Sequence, residues 1–105
     1  MASQIQDKQD LLSALVAHQS QILEYGVNRL GVFGSFVRNQ AHSNSDVDFF
    51  VEFEPSKKNF KNFMKLADLL EDITGRTVEL VTPQSLNKHI GKYILEEVEY
   101  ISFAA

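Results

Sequence analysis

The stretch GSFVRNQAHSNSDVDFF, residues 34–50, places two aspartates one residue apart at the start of an otherwise apolar run. In DVDFFVEF, residues 46–53, alternation puts Asp46 and Asp48 on one side of a predicted strand, opposite a wholly apolar face that must be buried. Their Cα atoms are then about 6.5–7 Å apart, so both carboxylates can converge on a hard cation such as Mg²⁺. The alternative is the solvated start of an edge strand.

The glycine and serine that open the stretch supply the complement of a cation site. Gly34 lets the backbone approach a ligand closely, and the N-terminus of a following helix offers free N–H groups to phosphate. The hydroxyl of Ser35 can join them as a donor. Taken alone, this pair is far more typical of an ordinary strand-to-helix turn. Ten residues separate Ser35 from Asp46, in the order strand, turn, loop, strand, and this combination favours a site for a metal and a phosphate.

The rest of the chain reads as alternating helices and strands. Helical spacing of apolar residues, branched and aromatic runs, and Gly or Pro boundaries mark the elements. The predicted long helices are 3–24, capped by Ser3, 58–74, ending at Gly75, and 92–101. Two short helices are predicted at 35–40 and at 83–90, the second capped by Thr82. The predicted strands are 27–33, 46–53 and 77–82. The order α-β-α-β-α-β-α indicates an α/β (α+β) fold in which helices flank a small mixed β-sheet.

Length and composition limit the classes of protein that this chain fits. A length of 105 residues suits one domain, residues 1–105, with one core. The absence of cysteine excludes disulfides, thiolate catalysis and cysteine-ligated zinc. A net charge of −4 gives no footprint for direct nucleic-acid binding. The short apolar runs and polar N-terminus predict a cytoplasmic protein without a membrane span.

The spaced motif resembles one known family. Phe33-Gly34-Ser35, followed by Asp46-Val47-Asp48-Phe49, matches the minimal nucleotidyltransferases of the superfamily that includes DNA polymerase beta. The resemblance extends to Arg38, to Ser45 before the first aspartate and to a third acid, Glu79 in TVELVTPQSL, and it runs from about residue 27 onward. The chain departs from the usual pattern at Asn39, where many relatives carry Gly, and at Glu79, where Asp is commoner.

The resemblance implies a nucleotidyltransferase fold and a separate role for each group of motif residues. It implies that Asp46, Asp48 and Glu79 are the catalytic residues and the ligands of two Mg²⁺ ions. It implies that Gly34, Ser35, Arg38 and Ser45 bind the nucleotide, with ATP as the substrate. For Arg38, a plain surface arginine is the alternative.

The size of the chain and the resemblance together imply the acceptor. Minimal members of this family are similar in size and pair with a HEPN-domain RNase, so the expected function is that of an antitoxin that transfers AMP from ATP to a tyrosine hydroxyl of this toxin. Two alternatives stay open. One is a non-catalytic antitoxin that neutralises its partner by contact. The other is an enzyme that modifies a small molecule of the aminoglycoside type, for which Glu96, Glu97 and Glu99 form the acidic cluster available.

Overall fold

A mixed β-sheet with helices on both faces forms the protein in a computed structural model, which describes residues 4–86 and 88–103. Within those residues the helices are α1 (Lys8–Ala17), α2 (Gln19–Glu24), α3 (Phe60–Thr74) and α4 (Lys88–Glu97), and the strands are β1 (Val27–Phe33), β2 (Val47–Phe53), β3 (Val78–Val81) and β4 (Glu99–Tyr100). Single 3₁₀ turns lie at Gly34–Phe36, Pro55–Lys57 and Pro83–Ser85. None of these helices is long and apolar enough to cross a lipid bilayer.

The sheet has the strand order β3-β2-β1-β4. Strand β1 is antiparallel to both of its neighbours, β2 and β4, whereas β2 and β3 run parallel. The parallel register sets Asp48 beside Glu79 and Val47 beside Val78. Because side chains at paired positions lie on the same face of a sheet, the two acids predicted to act together become neighbours.

The two faces of β2 pack against different helices. The face carrying Val47, Phe49 and Val51 is buried in the main core against α1, α2 and α3. The other face carries Asp48 and Phe50, and Phe50 packs with Phe33 of β1 and with α4. The predicted alternation of β2 is therefore confirmed, and Asp48 lies on the side of the sheet that α4 covers in part.

Helix α3 has the boundaries that its sequence predicts to within two residues. The side chain of Asn59 caps its first turn by accepting a hydrogen bond of 2.9 Å from the backbone N–H of Asn62. Gly75 ends it in the left-handed conformation, with φ of 66°, and donates its N–H to the carbonyl of Glu71. The chain turns at this C-cap and leads into β3, which carries Glu79.

The predicted fold class is confirmed, but the N-terminal helix differs from the prediction. Asp7 caps α1 through a 2.8 Å hydrogen bond from the backbone N–H of Asp10, and Ser3, the predicted cap, lies outside the described residues. The predicted continuous helix is interrupted at His18, whose ring nitrogen Nδ1 and backbone N–H both contact the carbonyl of Ala14. A side chain that bonds the preceding turn competes with regular helix, which accounts for the break.

Three further predictions were wrong at the ends of elements. The short helix expected at 35–40 is only the 3₁₀ turn Gly34–Phe36, because Asn39 adopts a left-handed φ of 58° that cannot continue a helix. Near the C-terminus, Pro83–Ser85 is a 3₁₀ turn where the helix 83–90 was expected, and the last helix is Lys88–Glu97 rather than 92–101. Strand β4 follows it and pairs Tyr100 with Gly31 of β1. The element order therefore gains a fourth strand, which forms through contacts distant in sequence.

Candidate active site

An open cleft of about 990 Å³ lies between the sheet and α4. Its floor comes from the ends of β1 and β2 and from β3, and its wall comes from α4. Of the residues singled out from the sequence, the cleft brings together Gly34, Arg38, Asp48 and Glu79. Apolar side chains, among them Leu80, Leu86 and Ile94, complete the lining. A cleft with an apolar wall and a few convergent polar groups is the usual form of a small-molecule site.

Asp48 and Glu79 face the cleft as paired neighbours on β2 and β3. Partial burial, the charge of Glu79 and a hydrogen bond with its carboxyl group raise the pKa of Asp48 from 3.8 to about 6. The charge of Asp46 adds to this shift and that of Arg38 opposes it. Two carboxyl groups held this close are typical of a site that a cation completes.

The raised pKa of Asp48 predicts a pH-dependent stability. Between pH about 4 and about 6 the folded protein binds more protons than the unfolded chain, so the free energy of unfolding falls as the pH rises through this window. With allowance for solvent screening, the loss should be about 1–2 kcal/mol. We expect thermal unfolding in Mg²⁺-free buffer to show this fall, and Asp48→Asn to remove it. An unchanged slope in the variant would contradict the assignment.

Gly34 brings backbone into direct contact with the acidic pair. Its φ of +81° is in the left-handed region, and a Cβ atom built there would overlap Oδ2 of Asp48. Only glycine therefore allows the turn after β1 to lie against this carboxylate. The N–H of Gly34 is directed into the cleft, where it donates a 2.7 Å hydrogen bond to Oε2 of Glu97.

Arg38 lies beside the same turn and shares this acceptor. Its Nη1 donates to Oε1 of Glu97 at 2.7 Å, and its Nε contacts Gln40 at 3.2 Å. The left-handed Asn39 follows directly, and glycine is the residue that adopts this conformation most easily. Asn tolerates this conformation better than most other residues, so Asn39 can hold the turn in this chain.

The other residues predicted for the site lie at its edge. Asp46 is exposed and precedes β2, and Ser35 is half-buried in the 3₁₀ turn; neither is among the residues that line the cleft. Ser45 is engaged in the loop itself, because its Oγ accepts a 2.9 Å hydrogen bond from the N–H of His42. In this structure the Ser45 hydroxyl shapes the approach to Asp46.

A buried arginine that the sequence analysis missed holds this loop. The side chain of Arg76 donates to the carbonyls of Ile5, His42 and Ser45 at 2.6, 2.7 and 2.9 Å. Its guanidinium also lies over the ring of Phe36, 4.9 Å from the centroid. Arg76 is only 6% exposed, so it links the N-terminal segment, the 3₁₀ turn and the loop that leads to Asp46. No local pattern in the sequence marks it.

Replacing Arg76 by Met should destabilise the protein and disorder the approach to Asp46. The carbonyl oxygens of Ile5, His42 and Ser45 lose their donor. Because water can replace part of these hydrogen bonds, we expect the free energy of unfolding to fall by about 2–4 kcal/mol. Chemical denaturation measures this loss. Arg29→Met is the matched control, since Arg29 is an exposed arginine paired with Glu52 on the surface of the sheet. A loss no greater than that of the control would contradict a role in holding the loop.

The donor set at this edge of the sheet suits Mg²⁺. Mg²⁺ is usually bound by one or two carboxylates together with phosphate oxygens of a substrate and water. Asp48 and Glu79 provide two carboxyl groups whose mutual repulsion a divalent cation would relieve. Among the described residues, no three His, Asp or Glu side chains form a metal cluster by themselves. Water or phosphate oxygens of a substrate would therefore complete the coordination of an ion held by this pair.

The acidic residues near the C-terminus are divided between different contacts. Glu97 pairs with Arg38, and Glu99 pairs with Lys8 at 3.0 Å, while Glu96 lines the cleft. Of the predicted cluster, Glu96 and Glu97 therefore line the cleft, whereas Glu99 is bound to Lys8. Glu97 also accepts hydrogen bonds from Gly34 and Arg38, a contact that sequence position alone did not suggest.

Comparison with known proteins agrees with this geometry. Residues 16–101 match the family model described as a nucleotidyltransferase domain. The chain is 42% identical over 94 residues to the protein adenylyltransferase MntA of Thermococcus cleftensis, covering 89% of this chain and 94% of MntA. One solved minimal nucleotidyltransferase superposes with a TM-score of 0.79 at 28% identity, over 92% of this chain and 98% of that one.

A second solved structure, of a toxin–antitoxin with AMP-PNP, has the same fold. It superposes with a TM-score of 0.65 at 17% identity and covers 92% of this chain and 73% of that one. The family match spans the turn at Gly34, Asp46 and Asp48 at the start of β2, and Glu79 of β3. The resemblance inferred from the motif is thus confirmed, and the chain belongs to the nucleotidyltransferase domain family.

Proposed function

We propose that this chain is a cytoplasmic antitoxin that acts as a Mg²⁺-dependent protein adenylyltransferase, moving AMP from ATP to a tyrosine hydroxyl of a HEPN-domain RNase toxin. The observation that carries the proposal is the pair Asp48 and Glu79, set side by side by the parallel register of β2 and β3, with the backbone of Gly34 close to the Asp48 carboxylate. The similarity to MntA, a protein adenylyltransferase, supports the reaction, and the fold shared with a toxin–antitoxin protein agrees with the partner class.

Each residue then has a role in binding or proton transfer. The N–H of Gly34, the hydroxyl of Ser35 and the guanidinium of Arg38 would donate hydrogen bonds to the triphosphate. Asp46, Asp48 and Glu79 would hold two Mg²⁺ ions. When bound, these ions supply positive charge at the attacking oxygen and at the leaving pyrophosphate. Ser45 would act indirectly, because its hydroxyl accepts the hydrogen bond from His42 that shapes the loop before Asp46.

The reaction transfers one group and releases another. The tyrosine oxygen forms a bond to the α-phosphorus of ATP as the bond from that phosphorus to the β-phosphate oxygen breaks, and pyrophosphate leaves. The tyrosine proton passes to a carboxylate, for which Glu79 is the candidate because it lies beside Asp48 at the cleft floor. Donors fixed on the backbone stabilise the charge that develops during this step.

Mass spectrometry of the partner tests the proposal. A HEPN-domain RNase, the proposed partner, would be incubated with ATP, Mg²⁺ and the purified chain, and then with the Asp46→Asn/Asp48→Asn variant. A mass gain of one or more AMP units on a tyrosine, absent with the variant, supports the proposal. No gain, with the partner's RNase still inhibited by the variant, would identify a non-catalytic antitoxin. Transfer to an aminoglycoside alone would identify a small-molecule enzyme.

A further inference from the structure

The carboxylate of Glu97 occupies the two donors that a nucleotide would need. Its Oε2 accepts from the N–H of Gly34 and its Oε1 accepts from Nη1 of Arg38, each at 2.7 Å. Both donors are among the groups that the family resemblance assigns to the nucleotide. A carboxylate held by a backbone N–H and a guanidinium makes the same kind of charge-assisted contacts as two phosphate oxygens.

We infer that Glu97 is an internal competitor for the triphosphate and sets the affinity of the cleft for nucleotide. The inference rests on the proposed function, since it takes the cleft to bind a nucleoside triphosphate. A single N–H cannot donate fully to two anions, so a phosphate oxygen can bind Gly34 only after Glu97 has moved away. Arg38 has further N–H groups and can contact both, which makes Gly34 the donor for which the two anions compete.

The placement of Glu97 allows such an exchange. It is the last residue of α4, and the backbone beyond it is held by β4, which pairs with β1. Its side chain is 23% exposed, so it can rotate toward water while the helix stays in place. Among the described residues lining the cleft, the acids are Asp48, Glu79, Glu96 and Glu97, and Arg38 is the one basic residue. An incoming triphosphate would therefore repel the Glu97 carboxylate as it takes its place.

Removing the charge of Glu97 should tighten nucleotide binding. Glu97→Gln keeps the size of the side chain but replaces a strong anionic acceptor with a neutral one, so the contact that ATP must break becomes weaker. We expect isothermal titration calorimetry with Mg²⁺ and AMP-PNP to give a dissociation constant about fivefold or more below that of the wild type. Inorganic pyrophosphate should show a gain of the same direction, because the competition is for phosphate oxygens.

Two controls separate competition from a general effect of charge. Glu96→Gln removes one negative charge from the adjacent lining residue and should change the dissociation constant much less. Arg38→Gln removes one of the two shared donors, so the gain from Glu97→Gln should shrink in that background. Thermal unfolding of each variant shows that it is folded before binding is compared.

The outcomes distinguish this inference from the proposed function. Tighter binding by Glu97→Gln, with Glu96→Gln near the wild type, supports competition, and so does binding that appears only in Glu97→Gln. Unchanged or weaker binding by folded Glu97→Gln, while the wild type binds nucleotide, overturns it and makes Glu97 an anchor between α4 and the turn. No nucleotide binding by the wild type or by Glu97→Gln overturns the proposed function, and the inference falls with it.

Discussion

Replacing Asp48 with Asn is expected to abolish adenylyl transfer while leaving the protein folded. The carboxylate faces the cleft beside Glu79, and its negative charge is what a Mg²⁺ ion bound there would require. Asn has nearly the same shape but no charge, so we expect the rate of AMP incorporation to fall by about 10³-fold or more. The rate is measured with the partner protein at saturating ATP and Mg²⁺.

The same substitution should leave stability unchanged or increased at pH 7. Burial and the neighbouring acids disfavour the charged form of Asp48, so a neutral side chain removes an unfavourable term from the folded state. Activity and stability would then change in opposite directions, which a merely structural residue would not show. Asp46→Asn, at an exposed position, should lose activity with little change in stability.

A matched control for both variants is available on α3. Asp72 is exposed and lies outside the cleft lining, so Asp72→Asn removes one negative charge without touching the site. Its transfer rate should equal that of the wild type. Retention of more than about a tenth of the wild-type rate by Asp48→Asn would exclude an essential role for this carboxylate.

Replacing Gly34 with Ala is the second change with a large expected effect. The new methyl group would overlap Oδ2 of Asp48, and the backbone would have to hold φ near +81° with a side chain present. Either the Asp48 carboxylate or the turn must therefore move, and both changes disturb the contact between the Gly34 backbone and this carboxylate. We expect a loss of about 10²-fold in transfer rate and about 1–3 kcal/mol in the free energy of unfolding.

Gly75→Ala separates these two effects. Gly75 has a similar φ of 66° but ends α3, so the substitution adds left-handed strain without placing a methyl group against Asp48. It should cost about 1 kcal/mol of stability and leave the transfer rate unchanged in folded protein. Initial rates and denaturation curves of both variants make the comparison. Equal transfer rates in the two would show that close approach at Gly34 is not required.

Local sequence patterns predicted the positions of Asp48 and Gly34 in the site. The alternation in DVDFFVEF placed Asp48 opposite the core, and the Gly-Ser turn after a strand placed Gly34 near it. The position of Glu79 beside Asp48 followed from the family resemblance, and the parallel pairing of β3 provides its physical basis. For Asp48 and Glu79, the local sequence pattern agrees with the pairing of the strands in the folded sheet, as is typical of natural sequences.

The remaining features depend on contacts between residues distant in sequence. Strand β4 lies in EEVEYI, whose composition also suits a helix, and it forms because the edge of β1 is open to pair with it. Arg76 bonds carbonyls 31 to 71 residues away, and Glu97 bonds Gly34 from 63 residues away. Such partners are set by the assembled fold, so no local spacing reveals them.

The most direct test of the central claim is to follow which phosphate of ATP reaches the proposed partner protein. The partner would be incubated with the chain and Mg²⁺ in two parallel reactions, one with ATP radiolabelled on the α-phosphate and one with ATP labelled on the γ-phosphate. Adenylyl transfer through the cleft predicts a label on the partner only from the α-phosphate, lost with Asp48→Asn and kept with Asp72→Asn. A label from the γ-phosphate, or an α-label that persists in Asp48→Asn, would contradict the account.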